Sequence, residues 1–169
     1  MKTSCRVLLA DDAPAVRQGV KSLLEREGFD VVGEAADGQE AVTLAKALDP
    51  DVAVLDLSMP KLSGIGAARE IQRLCPRTHL ILLTVFTEEH QVVTALRAGI
   101  RGYVAKTEAA EDLARAIGEV SRGGVFVSSS ASCEVVDDYL SKSDSCVLLG
   151  PKRQGACPLC GFCPSPDGT

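Results

Sequence analysis

Short apolar runs alternate with segments of helical spacing along most of the chain, and no other feature constrains its fold as tightly. The runs cover 5–10, 30–34, 51–55, 79–83 and 101–105. Helical segments are expected over 14–27, 39–48, 64–74, 88–98 and 108–121. In the first of these Val16, Val20, Leu23 and Leu24 recur on one face, and Asp12 stands where an N-cap would. Gly28, Asp49-Pro50, Cys75-Pro76, Gly99 and Gly123-Gly124 provide the stops. Strands that alternate with helices across short loops form a parallel sheet covered on both faces, with right-handed crossovers. Alternation does not fix the strand order. A flavodoxin-like order, 2-1-3-4-5, brings the ends of strands 1, 3 and 4 together and best explains the polar residues found there. The expected fold is therefore an α/β, flavodoxin-like (βα)5 doubly wound sheet.

After Gly124 the pattern stops. Val125-Phe126-Val127 is a short apolar piece, and 128–132 is a Ser-rich linker. Val135, Val136, Tyr139 and Leu140 fit one face of a short helix, and from Gly150 onward Gly, Pro and Cys dominate. The expected division is a domain over 1–127, a linker with a short helix over 128–145, and an irregular, disordered tail over 146–169.

With 169 residues, 46% hydrophobic and 24% charged, the chain has room for one domain and an appendage. A net charge of −5 argues against a basic surface for nucleic acid. No apolar run reaches the roughly 20 residues of a membrane span, and the first residues lack the pattern of a signal peptide, so the cytoplasm is the expected compartment. The 7 cysteines are unevenly placed, with Cys133, Cys146, Cys157, Cys160 and Cys163 towards the C-terminus. That spacing does not describe a disulfide framework for the main domain. Cys5 and Cys75 read as packing residues, and His79 and His90 as structural or surface residues.

The strand ends carry the chemistry. The first run leads into Asp11-Asp12, the third into Asp56, the fourth into Thr84 and the fifth into Lys106. Taken singly, Asp11-Asp12 reads as a cap beside a solvated neighbour, and Lys106 as a surface lysine. Together they put carboxylates, a hydroxyl and an ammonium on one edge of one sheet. Clustered carboxylates repel one another, and a hard divalent cation such as Mg²⁺ relieves the repulsion with oxygen ligands. Such a site can hold a phosphoryl group.

These residues resemble the receiver domain of two-component response regulators. The matching pieces are Leu8-Leu9-Ala10-Asp11-Asp12, the run 51–60 through Asp56 to Met59-Pro60, Ser63-Gly64, Thr84, and Gly102-Tyr103-Val104-Ala105-Lys106. The resemblance covers about 4–127. Val32-Gly33-Glu34-Ala35, Ala95-Leu96-Arg97-Ala98-Gly99 and Gly124-Val125-Phe126-Val127-Ser128 resemble the subfamily of transcription factors with a C-terminal helix-turn-helix.

The resemblance implies that Asp56 is the phosphoacceptor, loaded from a phosphohistidine on a sensor histidine kinase. It implies that Asp12, Asp56 and the backbone carbonyl of Ser58 ligate Mg²⁺, with Asp11 holding a metal-bound water. Lys106 and Thr84 would contact phosphoryl oxygens, and Tyr103 would be the aromatic switch that relays the change to the surface of helix 4, strand 5 and helix 5. Homodimerisation on phosphorylation is a further implication. The chemistry expected is self-phosphorylation and slow self-dephosphorylation, not turnover of a metabolite. Two departures stand out. Thr107 follows Lys106 where many receivers carry a proline after a cis peptide, and Phe86, two residues after Thr84, is expected to slow loss of the phosphoryl group. The helix-turn-helix itself has no counterpart in 143–169, so the resemblance stops short of DNA binding by this chain.

Two other classes compete. An aspartate-nucleophile, Mg²⁺-dependent phosphatase or phosphotransferase shares an aspartyl phosphate, but it usually sets its nucleophile and a second Asp two residues apart on the first strand. Here Asp11 and Asp12 are adjacent, and the candidate nucleophile is on the third strand. A metal-binding module rests on Cys157, Cys160 and Cys163, with Cys146 as a fourth thiolate, and no histidine completes a zinc site. Gly64-Ile65-Gly66 is too short for a dinucleotide fingerprint.

Overall fold

A computed structural model describes residues 4–85 and 89–128. The short helix expected in the linker, the tail with its cysteines and Phe86 lie outside the described residues. Strands β1 (Arg6–Ala10), β2 (Asp30–Ala35), β3 (Val52–Asp56), β4 (His79–Thr84), β5 (Gly102–Ala105) and β6 (Phe126–Val127) form one sheet. Its order is β2-β1-β3-β4-β5-β6, and every pairing is parallel. Helices α1 (Pro14–Arg26), α2 (Gly38–Leu48), α3 (Gly64–Leu74), α4 (Glu89–Arg97) and α5 (Ala109–Ser121) connect successive strands, and a 3-10 turn (Lys106–Glu108) precedes α5.

The two faces of the sheet carry separate cores. Strand residues alternate between them because successive side chains in a strand point to opposite sides. Leu8, Ala53, Leu55, Leu80, Leu82 and Tyr103 meet the apolar faces of α2, α3 and α4. Val7, Leu9, Val52, Val54, Ile81, Leu83 and Val104 meet α1 and α5 through Val20, Leu24, Leu113 and Ile117. β3 is buried along its whole length, which explains its unbroken apolar sequence and leaves Asp56 as the first charge at its end.

The expected order 2-1-3-4-5 holds, with one addition. Val125-Phe126-Val127 contributes a sixth strand on the outer edge of β5. Ser128, read from sequence as the first linker residue, is 1% exposed and bonded into this edge. The N-cap of α1 also differs. Ala13 occupies it without a side-chain cap, and Pro14 starts the helix with its fixed φ. Asp12 is exposed instead, so its carboxylate is free of that duty. Asp37 and Ser63 do cap their helices, each accepting an N–H from the residue three further on.

Candidate functional site

Parallel strands that end in register bring distant residues to one edge. Val7 to Ala10 pair with Val52 to Leu55, so Asp11 and Asp56 both follow the last paired position of adjacent strands. Asp56 pairs with Leu83, and Thr84 with Ala105, which places Thr84 and Lys106 one step further along the same edge. One carboxylate oxygen from each of Asp11, Asp12 and Asp56 lies within 4.8 Å of the others. Lys106 Nζ stands 2.7 Å from Asp11 Oδ2 and 3.1 Å from Asp56 Oδ1. The sequence-derived quartet Asp11, Asp12, Asp56 and Lys106 is thus one cluster.

Asp11 is held more firmly than its sequence suggests. Its N–H donates to Ala35 O at 3.1 Å, and its carbonyl accepts from Arg17 Nη1 at 2.6 Å. Its Oδ1 accepts the Ala13 N–H at 2.9 Å. That leaves Oδ2 facing Lys106 as an ion pair whose angles fall short of a hydrogen bond. Arg17 was not visible as a site residue in the sequence, because it acts from α1 on a backbone atom.

Asp56 is 5% exposed. Burial pushes its carboxyl above the ordinary 3.8; Lys106 opposes this, and the neighbouring Asp11 and Asp12 charges add to it. For Lys106 burial acts downward, but the Asp11 and Asp56 carboxylates together outweigh it, and the ammonium is held above its ordinary 10.5. The lysine therefore stays charged, and it half-neutralises a pair of carboxylates that repel each other.

This donor set fits a hard cation. All the side-chain ligands are carboxylate oxygens, they converge, and the buried Asp11 Oδ2 has no hydrogen-bond partner. Mg²⁺ favours such sites because it takes one or two carboxylates and keeps several waters. Ser58, two residues beyond Asp56, is exposed on the loop before α3, and the role expected of it needs only its carbonyl. Thr84 and Tyr103 are buried, at 0% and 1% exposure, with Tyr103 part of the core on the α2, α3 and α4 side of the sheet.

Two close approaches fix the loop that carries Ser58. A methyl group added at Gly64 would overlap the Asp56 carbonyl oxygen, so only glycine lets α3 start this near Asp56. Gly38, at the start of α2, meets Leu62 O in the same way. Lys61, with φ of 63°, sends Nζ to within 2.6 Å of Asp37 Oδ2. This pair ties the loop before α2 to the loop before α3.

Cys75 is buried as a packing residue, and burial pushes both its thiol and the half-buried Cys5 thiol up. His79 lines an open cavity of about 260 Å³ with Gln72, Thr78 and Arg101 at the opposite end of the strands. No helix among the described residues is long and apolar enough to cross a membrane.

Known proteins share both the sequence and the fold. The profile of the response regulator receiver domain matches residues 7–118. The transcriptional regulatory protein YxjL of Bacillus subtilis is 37% identical over 138 residues, which cover 81% of this chain and 63% of that protein. The response regulator protein VraR of Staphylococcus aureus is 40% identical over 119 residues, 70% of this chain and 57% of that protein. The chain thus spans about three-fifths of the length of these curated relatives. Among solved structures, a two-component response regulator of the LuxR family from Aurantimonas superposes with a TM-score of 0.76 at 33% identity. It covers 82% of this chain and 99% of its own. Sequence, sheet order and the acidic edge agree: the chain belongs to the response regulator receiver domain family.

Proposed function

We propose that Asp56 accepts a phosphoryl group from a phosphohistidine on a sensor histidine kinase, and that the acyl phosphate switches a surface of this domain. The observation that carries the proposal is the convergence of Asp11, Asp12 and Asp56 with Lys106, whose Nζ is 3.1 Å from Asp56 Oδ1. A carboxylate oxygen of Asp56 attacks phosphorus, the P–N bond of the donor breaks, and the imidazole nitrogen leaves with the electron pair. Water later cleaves the acyl phosphate and returns Asp56 with inorganic phosphate. Asp11, Asp12, Asp56 and the Ser58 carbonyl would hold Mg²⁺, which offsets charge on the transferring oxygens.

The chain's own residues do the rest. Lys106 is charged and already poised on Asp56, so a small swing takes its ammonium to a phosphoryl oxygen. Thr84 follows the β4 residue paired with Asp56 and offers its hydroxyl to another oxygen. Displacement of Thr84 would be sensed by Tyr103, which already lies buried in the core, and the face of α4, β5 and α5 would be the readout. That face would serve homodimerisation or a partner, and transcription in forms of the length of the curated relatives. The chemistry would be confined to loading and unloading Asp56, in the cytoplasm where the kinase domain acts.

Incubation with Mg²⁺ and acetyl phosphate, read by intact mass, tests the proposal. One added phosphate is expected, and none for Asp56→Asn. Repeated turnover of phosphate esters would favour a phosphatase and overturn the switch.

A further inference from the structure

We propose that Ser128, acting with Asp112, is a positioning residue for Lys106 and thereby for phosphoryl transfer to Asp56; this deepens the phosphoacceptor reading and rests on it. β6 ends at Val127, one position too soon to supply a strand partner for the Ala105 N–H. The Ser128 hydroxyl takes that place. Its Oγ accepts the Ala105 N–H at 3.1 Å and donates to Asp112 Oδ2 at 3.1 Å. The Ser128 N–H donates to Tyr103 O at 2.8 Å, and all of this lies in a buried setting.

One hydroxyl therefore joins the end of β5, the end of β6 and the first turn of α5. Lys106 is the residue immediately after Ala105 and the first of the 3-10 turn into α5. Its backbone is held from before by the Ala105 bond and from after by α5, whose Asp112 is itself fixed by Arg115 Nη1 at 3.2 Å. Arg115 also stacks over the Phe126 ring at 5.6 Å, which returns the link to β6. The ammonium must reach two carboxylates at the end of a flexible four-carbon stem, so its aim depends on where the backbone starts it. Without the Ser128 hydroxyl, the buried Ala105 N–H and Asp112 Oδ2 lose these partners, and such groups draw in water or shift the backbone. A displacement of about 1 Å in a positioned group can cost on the order of a hundredfold in rate. A partial displacement should cost about tenfold.

The full chain is loaded with acetyl phosphate and Mg²⁺, and intact mass is followed in time, well below each variant's unfolding temperature. Ser128→Ala is expected to slow phosphorylation of Asp56 about tenfold, and Ser128→Thr, which keeps the hydroxyl, to stay within about twofold. In a Lys106→Met background Ser128→Ala should cause no further slowing, because both changes act through one group. A purely structural serine would not show that non-additivity. Wild-type rates in folded Ser128→Ala, equal slowing by Ser128→Thr, or an undiminished effect in Lys106→Met each overturn the proposal. Should Ser128→Ala fail to fold, Ser128→Cys keeps the shape and weakens both bonds, and is expected to slow loading several-fold; wild-type rates there overturn it equally. A wild-type chain that takes up no phosphate overturns the phosphoacceptor reading and this proposal with it, whereas normal loading of both proteins removes this proposal alone.

Discussion

Asp56→Asn should make the metal-free domain more stable. The Asp11 and Asp12 oxygens lie within 4.8 Å of an Asp56 oxygen. At an effective dielectric constant of about 20, each such pair would repel by about 3 kcal/mol, roughly halved for the exposed Asp12. Lys106 at 3.1 Å returns about 5 kcal/mol on the same scale. The charge terms nearly cancel, which leaves the cost of keeping an ionised carboxylate at 5% exposure. Asn keeps the shape and an oxygen for Lys106, and Lys106 keeps Asp11. The gain expected is about 1–2 kcal/mol, or a rise in Tm of about 3–6 °C for a domain of this size. Calorimetry at pH 7 in chelator measures it, with a second scan in Mg²⁺, where the gap should narrow because the unaltered site binds the cation better. The pH dependence has a fixed sign. The folded carboxyl lies above the ordinary 3.8, so Asp56 destabilises least below that value. Its penalty grows as pH rises through the folded pKa, and the advantage of Asn grows with it. A lower Tm for Asn in chelator at pH 7 would refute the reasoning.

Three further outcomes follow from the same geometry. On the proposed function, Lys106→Met should lower the rate of loading from acetyl phosphate by about a hundredfold or more, since it removes the positive charge 3.1 Å from Asp56, and mass spectrometry over time reads it. Gly64→Ala should destabilise the fold by about 1–3 kcal/mol in urea titration and slow loading, because the new methyl pushes on the Asp56 carbonyl. In Lys61→Met the Asp37 carboxyl should rise towards its ordinary 3.8, since Lys61 is the main cause of its lowering. Carbon NMR titration follows it, and any stability difference from wild type should be present above the carboxylate range and vanish as pH falls through the folded pKa of Asp37.

The carboxylates were legible in the sequence because parallel strands share a register: an acid at the end of one apolar run must lie beside an acid at the end of the next. Lys106 was legible through the same rule and through the family pattern. Asp12 misled as a cap, since Pro14 starts α1 without one and releases the carboxylate to the site. β6 was seen only as an apolar piece, because two residues are too few for any periodicity to show. Ser128 and Asp112 were missed because their bonds span 23 and 16 residues and follow from where α5 folds back. The Asp37–Lys61 pair spans 24 residues and joins two loops, which no local pattern encodes.

β6 also bears on self-association. A parallel sheet of this kind has two rims, and each is a template on which another extended chain can assemble. On one rim β2 carries the exposed Asp30, which would meet its own like charge in any second copy added in register, while Glu34 is engaged by Arg17 and Lys21 of α1. On the other, Phe126 N and Ser128 N cover the carbonyls of Arg101 and Tyr103, and Ser128 Oγ covers the Ala105 N–H. The two-residue strand and the serine after it thus remove three open valences from a longer strand and offer little length of their own in exchange. A fragment ending at residue 123, after α5 is complete, would expose that rim and should aggregate more readily than one ending at 128.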